Sequence, residues 1–305
     1  MYEAVAGKLA AGEVVILDGG TGTHIQARGA PMDAEDWCAQ ANMSHPDVVK
    51  AVHADYLAAG AEVITANTYA TAPVLFDSKG RSDEVPVIDR TAVRLAHEAV
   101  EEHADRPIAI AGSMSVMRKV TAGADRTSKP DVTPERARDL MKMKADVLAE
   151  AGCDLLIMEM LRDTDHSLMA TEAAVATGLP VWVGISVERR EDGQLAGFDN
   201  HHHTLAELVP ALMATDAHAC CVIHHDITLS NEAIEIIKAS WDGPFGVYPE
   251  SGVFKMPHWD FGDIEPDDFA AQGKAWCAAG ATIVGGCCGI GPQHIKALRG
   301  AVQHG

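Results

Sequence analysis

Two adjacent cysteines near the end of the chain are the residues best suited to chemistry. Segment 281–289 reads ATIVGGCCG, so Cys287 and Cys288 follow a short β-branched run and sit in a glycine-rich turn. Thiolates are good ligands for zinc, and a catalytic zinc site keeps one coordination position open for substrate. The alternative is a pair of structural thiols, because free cysteine is often buried. The pair therefore predicts either a soft-metal site or a packed core position.

The cysteine count favours metal binding over disulfide bonds. The chain has seven cysteines, an odd number that includes two adjacent pairs. This spacing makes a poor disulfide framework, and cysteines in a reducing compartment are more often metal ligands. The seven are Cys38, Cys153, Cys220, Cys221, Cys277, Cys287 and Cys288.

Composition narrows the class of protein. The 305 residues are 47% hydrophobic and 22% charged, which is typical of a globular protein with a full core. The formal net charge of −20 argues against nucleic acid or an anionic membrane as partner. No apolar run approaches the roughly 20 residues that a membrane span needs, and the first residues lack a signal-peptide layout. We expect a cytoplasmic protein, and an oligomer is possible, but the composition does not identify a partner.

Predicted strands and predicted helices alternate along the chain, and together they must position the cysteines. Short β-branched runs are separated by longer amphipathic segments, and several helix ends show a glycine followed by a buried strand. The predicted strands are Val14–Asp18, Glu62–Ala66, Ile108–Gly112, Asp154–Glu159, Val181–Ser186, Ala219–His224, Phe245–Tyr248 and Thr282–Gly285. The predicted helices lie at 46–59, 88–104, 134–151, 165–178, 204–215, 230–240, 266–279 and 292–302. This alternation predicts an α/β fold, a (β/α)8 TIM barrel forming a single domain over residues 1–305, with a doubly wound sheet as the alternative.

Residues that end the predicted strands are expected to share one face, because chemistry in such barrels collects there. Long polar loops predicted at 73–88 and 114–133 can cover that face. The strand-end residues are Asp18 to Thr23 on the first strand, Asn67 to Tyr69 on the second, Glu159 on the fourth, Cys220 to His225 on the sixth, Tyr248 to Gly252 on the seventh and the cysteine pair on the eighth. This combination of metal ligands, carboxylates and glycine turns is far more specific than any single member.

Several of these groups suit an amino-acid substrate. Glu159 follows an apolar run, and a buried carboxylate needs a cationic partner, either a substrate ammonium or Arg162. Gly19 and Gly20 can expose backbone N–H groups to a substrate carboxylate, although turn geometry alone also explains glycines. The histidines at 201–203 are predicted to lie in an exposed loop.

Six parts of the chain match the pattern of one family in the right order. They are LDGGTGTHIQARG (17–29), Trp37, HADYLAAGAEVITANTY (53–69), EAGCDLLIMEM (150–160), VYPESG (247–252) and GATIVGGCCGIGPQHI (280–295). On these motifs the chain resembles the zinc-dependent homocysteine S-methyltransferases, which include betaine–homocysteine and S-methylmethionine–homocysteine methyltransferases. The resemblance covers nearly the whole chain and implies a (β/α)8 barrel with Zn²⁺ at its C-terminal mouth.

The sequence departs from the family pattern at the third zinc ligand. Family members normally carry a cysteine at the end of the sixth strand, where this chain reads ACCVIHHD (219–226). The resemblance places His224 at that position, and zinc accepts histidine nitrogen as readily as cysteine sulfur. His225 and Cys221 remain the alternatives.

Three further departures bear on the substrates. His24 stands where the family often has glutamate, Glu250 replaces the asparagine of a PNSG turn, and segment 112–118 differs from the family phrase GSLGPYG. The methyl donor, and also the thiol acceptor, can therefore differ from those of the best-known members.

The resemblance implies methyl transfer from a small onium donor to a zinc-bound thiol, with homocysteine as the expected acceptor and methionine as the product. The donor is expected to be betaine, a dimethylsulfonio compound or S-methylmethionine, near Trp37, Tyr69 or the loop at 114–120, because aromatic walls attract cations. Reaction at the thiolate requires no catalytic protein side chain. The implied metal ligands are His224, Cys287 and Cys288, and the implied substrate-binding residues are Asp18, Gly19, Gly20, Thr21, Trp37, Asn67, Tyr69, Glu159 and Tyr248.

Two other functions remain open at the level of sequence. A zinc hydrolase on the same barrel would use metal-bound water, but it would favour ligation rich in histidine and aspartate over a cysteine pair. A non-catalytic zinc- or thiol-binding protein would instead have a closed site with four protein ligands.

Overall fold

A computed structural model of the chain describes residues 1–34, 36–117, 132–262 and 264–303. Its strands are β1 (Val15–Ile16), β2 (Val63–Ala66), β3 (Ala109–Ser115), β4 (Leu155–Leu161), β5 (Val181–Arg189), β6 (Leu195–Gly197), β7 (Asn200–Thr204), β8 (Ala219–Asp226), β9 (Phe245–Glu250), β10 (Gly252–Lys255), β11 (His258–Phe261) and β12 (Ile283–Val284). Its α-helices are α1 (Tyr2–Ala10), α2 (Thr21–Ala27), α3 (Ala41–Ser44), α4 (Pro46–Ala59), α5 (Pro73–Asp77), α6 (Val85–His103), α7 (Pro134–Glu150), α8 (His166–Val175), α9 (Leu205–Met213), α10 (Ser230–Lys238), α11 (Pro266–Ala278) and α12 (Pro292–Gln303). Short 3₁₀ helices lie at Ser82–Glu84 and Ile227–Leu229.

Parallel strands close into a barrel. Within the described residues, eight strands pair in the order β1-β12-β9-β8-β5-β4-β3-β2. A parallel bridge between Leu17 and Val63 joins the two ends of this order. The predicted (β/α)8 barrel is confirmed, and the doubly wound alternative is wrong because an open sheet has two unpaired edges.

Side chains fill the barrel interior in the alternation expected of strands. On β8, Cys221 packs inside with Trp182 and Tyr248, whereas Cys220 packs in the outer layer beneath the helices. One of the two adjacent thiols therefore faces the barrel interior and the other faces the helices. Helix α1, which was not predicted, packs against the interior cluster, and the Trp182 Nε1–H donates to the Tyr2 hydroxyl at 3.2 Å.

Three predictions about connecting segments need correction. The segment at 73–88 is not a long polar loop, because it contains α5. The α5 side chains from Pro73 to Phe76 are buried. The histidines at 201–203 lie in strand β7, although two of them are exposed as expected. Most of the loop predicted at 114–133 lies outside the described residues, and β3 extends through Ser115.

Two hairpins extend the barrel at its C-terminal mouth and were not predicted. Strands β6 and β7 pair after β5, and strands β10 and β11 pair after β9. No helix among the described residues combines the length and apolar character needed to cross a membrane.

Candidate metal and substrate site

The cysteine pair occupies a turn that its neighbours hold by backbone hydrogen bonds. The Cys287 N–H donates to the Pro249 carbonyl at 2.8 Å, and the Cys288 carbonyl accepts from the Ser251 N–H at 2.8 Å. Gly289 has a φ of +79°, and a Cβ at that position would lie 1.7 Å from the Ser251 carbonyl oxygen. Only glycine fits there. The turn is therefore fixed against the end of β9.

His224, Cys287 and Cys288 form a cluster of three ligand atoms that lie within 4.8 Å of one another. The His224 Nδ1 and Cys287 Sγ are 3.6 Å apart. Zinc–nitrogen and zinc–sulfur bonds of about 2.0 and 2.3 Å at a tetrahedral angle place such atoms about 3.5 Å apart. The donor types and this spacing both fit one soft metal ion, and the three protein ligands leave a fourth position.

A bulge at the end of β8 turns His224 toward the cysteines. Strict alternation would point it outward, because Cys221 and Ile223 face the interior. The pairing of β8 with β9 shifts between Ile223 and Asp226, and His224 has a φ of +43°. Bulges re-aim side chains near functional sites, and this conformation costs about 1–3 kcal/mol in a residue other than glycine.

The two alternative ligands lie elsewhere. His225 is buried on the outer side of the barrel, where its Nε2 lies 2.9 Å from the Ser230 hydroxyl of α10. Cys221 is fully buried among the interior side chains. Neither belongs to the cluster of ligand atoms that His224 forms with the cysteine pair.

Aromatic rings and a carboxylate surround the His224 imidazole. The ring lies 5.6 Å from that of Phe198 and 5.9 Å from that of Trp259, measured between centroids. The Glu250 Oε2 is 2.8 Å from the His224 Nδ1. Burial lowers the pKa of His224, but contact with Cys287 and Glu250 outweighs burial and raises the pKa to about 10.

The adjacent cysteine and burial favour the protonated form of the Cys287 thiol. The adjacent Cys288 and burial raise the pKa of the Cys287 thiol well above its ordinary value. Thiols with such a pKa stay protonated near neutral pH, and a metal ion is what deprotonates a coordinating thiol.

We expect His224→Ala to lose bound metal and Cys221→Ala to keep most of it. The imidazole shares the ligand cluster with both thiols, whereas the Cys221 thiol packs in the barrel interior. Metal content after gel filtration, measured by inductively coupled plasma mass spectrometry, distinguishes the two variants. Full metal retention in His224→Ala, with loss in Cys221→Ala, would show that Cys221 is the ligand instead of His224.

Asp18 is buried at the end of the first barrel strand and is bonded to the next strand. Its carboxylate accepts hydrogen bonds from the Thr65 N–H at 2.6 Å and the Thr65 hydroxyl at 3.0 Å. Burial outweighs these bonds and raises the pKa of Asp18 to about 7, and repulsion from Glu159 adds to the increase. Asp18 therefore anchors β2 at the mouth, and its predicted contact with substrate stays a prediction.

The glycines after Asp18 allow the chain to approach the cysteine turn closely. A Cβ on Gly20 would lie 2.6 Å from the Cys287 carbonyl oxygen, and one on Gly19 would lie 2.2 Å from the Ile290 carbonyl oxygen. The Gly20 N–H donates to the Ile290 carbonyl at 3.0 Å, so it is not the free donor to a substrate carboxylate that we predicted. Thr21 begins α2 and is nearly buried.

Glu159 lies at the mouth on β4, next to a second bulge. The β4–β5 pairing shifts between Met158 and Leu161, and Met160 has a φ of +60°. The Ser113 hydroxyl donates a short hydrogen bond to the Glu159 carboxylate. Burial outweighs this bond and raises the pKa of Glu159. A half-buried carboxylate with a raised pKa is suited to an incoming cation, as expected for a substrate ammonium.

A buried ion pair helps to position Ser113, the residue that donates to Glu159. The Lys144 ammonium and Asp89 carboxylate are 2.8 Å apart and fully buried. Lys144 also donates to the Thr68 carbonyl at 2.8 Å, and the Thr68 hydroxyl exchanges hydrogen bonds with the backbone N–H and carbonyl of Ser113, both at 2.9 Å. The ion pair thus fixes the loop after β2 and, through Ser113, the residue that contacts Glu159.

Asn67 uses its side chain within the protein. Its Nδ2 donates to the Asn42 side-chain oxygen and the Cys38 carbonyl, each at 3.1 Å, and its Oδ1 lies 3.1 Å from the Cys38 Sγ. The residue therefore joins the loop after β2 to the segment that leads into α3. Its predicted contact with substrate stays a prediction.

Aromatic residues line the same mouth. The Trp37 ring lies 6.2 Å from that of Tyr69 and 6.5 Å from that of Phe254, both at nearly right angles. Trp37 itself has a φ of +47°. Tyr248 is buried in the barrel interior, and its hydroxyl has no hydrogen-bond partner among the described residues. The roles of Trp37, Tyr69 and Tyr248 in substrate binding stay predictions.

The unpredicted hairpins contribute residues that the sequence reading missed. Phe198 comes from the turn between β6 and β7, and Phe254 and Trp259 come from β10 and β11. The Trp259 backbone exchanges hydrogen bonds with the Gln26 side chain of α2 at 2.7 and 2.9 Å. The β-branched and aromatic residues on each side of the Met256-Pro257 turn are the signal that would have indicated the second hairpin.

The fold and the cluster together define a (β/α)8 barrel with a candidate metal site of two cysteines and one histidine at its C-terminal mouth. A family model described as homocysteine S-methyltransferase matches residues 15–302. The chain therefore belongs to the homocysteine S-methyltransferase family and is a methyltransferase.

Known proteins agree with this membership. Homocysteine S-methyltransferase 4 of Zea mays is 29% identical, with 96% of this chain and 90% of that protein covered. Selenocysteine methyltransferase of Astragalus bisulcatus is 27% identical, with 94% and 92% covered. The metallated homocysteine methyltransferase MmuM from Escherichia coli shares the fold, with a TM-score of 0.77 at 23% identity over 98% of this chain and 99% of that one.

Proposed function

We propose that the protein is a zinc-dependent S-methyltransferase that transfers a methyl group from a small onium donor to homocysteine and gives methionine. The observation that carries this proposal is the cluster of His224, Cys287 and Cys288, which supplies three soft ligands at an open barrel mouth. Two sulfur ligands and one nitrogen favour zinc over hard cations such as Mg²⁺ and Ca²⁺. When bound there, zinc supplies the Lewis acidity that keeps a substrate thiol as the nucleophilic thiolate.

The other end of the acceptor is proposed to lie at the carboxylates of the mouth. Glu159 and Asp18 are close enough for Glu159 to raise the pKa of Asp18. An amino-acid ammonium between them would relieve the burial of negative charge. Glu159, held by Ser113, then orients the acceptor so that its sulfur points toward the cysteine pair.

The donor is proposed to lie against the aromatic wall of Trp37, Tyr69 and Phe254. Edge-to-face rings at about 6 Å leave faces that can contact a positively charged methyl donor. Methyl transfer neutralises the onium group, so the leaving group departs without charge and needs no acid. The protein contributes alignment and a site that suits a cation.

A mass-spectrometric screen tests the substrates. Purified protein is incubated with homocysteine and with betaine, dimethylsulfoniopropionate or S-methylmethionine in turn, and methionine is quantified. Parallel reactions use selenocysteine as acceptor, because one relative carries that name. We expect methionine with at least one donor, and its absence with all three would overturn the proposed donor class.

Replacement of Glu159 tests the acceptor site. We expect Glu159→Ala to weaken homocysteine binding by about 1 kcal/mol or more, because a charged hydrogen bond to the ammonium is lost. Isothermal titration of zinc-loaded protein measures the change. Glu172→Ala, at an exposed position on α8, is the matched control and should bind as the wild type does. Unchanged affinity in Glu159→Ala would remove Glu159 from the acceptor site.

A further inference from the structure

The side chain of Gln26 pairs with the backbone of the hairpin that β10 and β11 form. Its Nε2 donates to the Trp259 carbonyl at 2.9 Å, and its Oε1 accepts from the Trp259 N–H at 2.7 Å. The amide therefore bonds to β11 as a peptide group of a neighbouring strand would. Because Gln26 lies on α2, 233 positions earlier in the chain, these two bonds tie the hairpin to the opening segment of the barrel.

The β10–β11 hairpin depends on such contacts for its position. It is a separate two-stranded sheet that pairs from Gly252 with Phe261 to Lys255 with His258. An isolated two-stranded hairpin is at best marginally stable in water. Near its turn the hairpin is open to solvent, with 60% of Val253 and 67% of Met256 exposed. Its place over the barrel mouth is therefore set by the bonds that its buried residue, Trp259, makes with the rest of the protein.

Trp259 carries the hairpin into the ligand cluster. Its indole is almost fully buried and lies 5.9 Å from the His224 ring. The indole Nε1–H donates to the Ser251 carbonyl at 2.8 Å, and a Cβ on Gly289 would lie 3.0 Å from the same Nε1. Gln26 thus fixes the backbone of the residue whose ring packs between His224 and the cysteine turn.

Phe254 carries the same hairpin into the aromatic wall. It is paired with Trp259 across the hairpin, and the two rings lie 6.3 Å apart. On its other side, the Phe254 ring lies 6.5 Å from that of Trp37, which in turn lies 6.2 Å from that of Tyr69. Ring contacts therefore run without a break from the proposed donor wall, through the hairpin, to a ligand of the metal position. A shift of the hairpin would change the distance between the two proposed substrates.

We propose that Gln26 is a positioning residue for methyl transfer, which holds the hairpin so that Phe254 completes the donor wall at a fixed distance from the ligand cluster. This inference rests on the proposed function, because it needs a donor at this wall. Alignment of two reactants supplies much of the rate of such a reaction, and a displacement of about 1 Å can cost about 100-fold. Gln26 acts through Trp259 and Phe254 and needs no contact with either substrate.

Hydrogen–deuterium exchange tests the anchor without zinc or substrates. Gln26→Met keeps the length and helix propensity of the side chain and removes both bonds. We expect the peptide that contains residues 252–261 to exchange about tenfold faster or more in this variant, because each lost bond is worth about twofold to tenfold in a local opening. Gln272→Met, at an exposed position on α11, is the matched control, and circular dichroism checks that both variants are folded.

Steady-state kinetics test the effect on methyl transfer. The donor used is the one of betaine, dimethylsulfoniopropionate and S-methylmethionine that the wild type turns over. In Gln26→Met, kcat/KM for this donor should fall by about tenfold or more. The Kd for homocysteine, measured by isothermal titration of zinc-loaded protein, and the zinc content should match those of the wild type. A role in overall stability alone would not separate donor from acceptor in this way.

A double-mutant cycle tests whether Gln26 acts through the hairpin. In a Phe254→Ala background the ring that Gln26 is proposed to position is absent, so Gln26→Met should lower kcat/KM much less than it does in the wild type. Independent effects that multiply in the double variant would contradict this route.

Each other outcome also decides a part of the proposal. Unchanged exchange at residues 252–261 in Gln26→Met would show that Gln26 does not anchor the hairpin. Faster exchange with an unchanged kcat/KM for the donor would leave Gln26 as a structural contact and overturn its role in methyl transfer. A wild-type protein that makes no methionine from any of the three donors would refute the proposed donor class and the kinetic part of this inference with it, whereas the exchange result would still decide the anchor.

Discussion

Zinc content should fall from about one equivalent per chain to almost none in Cys287→Ser and in Cys288→Ser, and methyl transfer should fall with it. Each substitution removes one of the three ligand atoms that lie within 4.8 Å of one another. Outer-shell partners alone are worth about 10–100-fold in metal affinity, so a direct ligand should be worth more than about 100-fold. Metal analysis after dialysis and a methionine assay measure both effects.

Cys277→Ser is the matched control for this experiment. Cys277 is also half-buried, but it lies on α11 and does not belong to the ligand cluster. It should keep the zinc content and activity of the wild type. Full zinc in both Cys287→Ser and Cys288→Ser would show that the metal binds elsewhere.

Replacement of Lys144 by methionine should destabilise the protein by about 3–5 kcal/mol. Removing one partner of a buried ion pair leaves the other charge without compensation. Asp89 and Lys144 are both fully buried, and Lys144 also donates to the hydroxyl and carbonyl of Thr71 at 2.8 and 3.2 Å. Urea denaturation followed by circular dichroism measures the free energy of unfolding.

A control on the same helix separates burial from charge. Lys142 pairs with Asp146 on the exposed side of α7, and such pairs are worth about 0–1 kcal/mol. Lys142→Met should therefore change the free energy of unfolding by less than about 1 kcal/mol. The double variant Asp89→Leu with Lys144→Met should recover part of the loss, because no lone charge remains. Equal effects of Lys142→Met and Lys144→Met would contradict the prediction.

The barrel could be predicted from sequence because its signals are local. Each barrel strand is a short run of β-branched and apolar residues, and several follow a glycine that ends a helix, as Gly60 does after α4. Helix α4 itself was predicted with its observed bounds because Pro46 begins it and Gly60 ends it. The cysteine pair could be placed for the same reason, because it follows β12 directly.

The direction in which the His224 side chain points could not be derived from the local sequence pattern. Alternation along β8 would send His224 outward and His225 inward, and the bulge after Ile223 reverses both. A bulge inserts one residue into the register and leaves no signal in a pattern of period two. Resemblance to the family placed His224 at the ligand position, and the structure brings it into the cluster with Cys287 and Cys288, whereas periodicity alone would have pointed it outward. The contact between Glu250 and His224 likewise could not be predicted from sequence, because it depends on how the ends of β8 and β9 meet.

Trp259 gives the site an optical reporter. Its indole lies 5.9 Å from the His224 ring and is almost fully buried, with 4% of its surface exposed. Indole emission responds to the charge and protonation of a neighbouring imidazole, so loading of the cluster should alter the fluorescence of this residue. The chain has five tryptophans, and subtraction of the spectrum of Trp259→Phe would isolate its signal. Occupancy of the ligand cluster can then be followed in real time without an added dye.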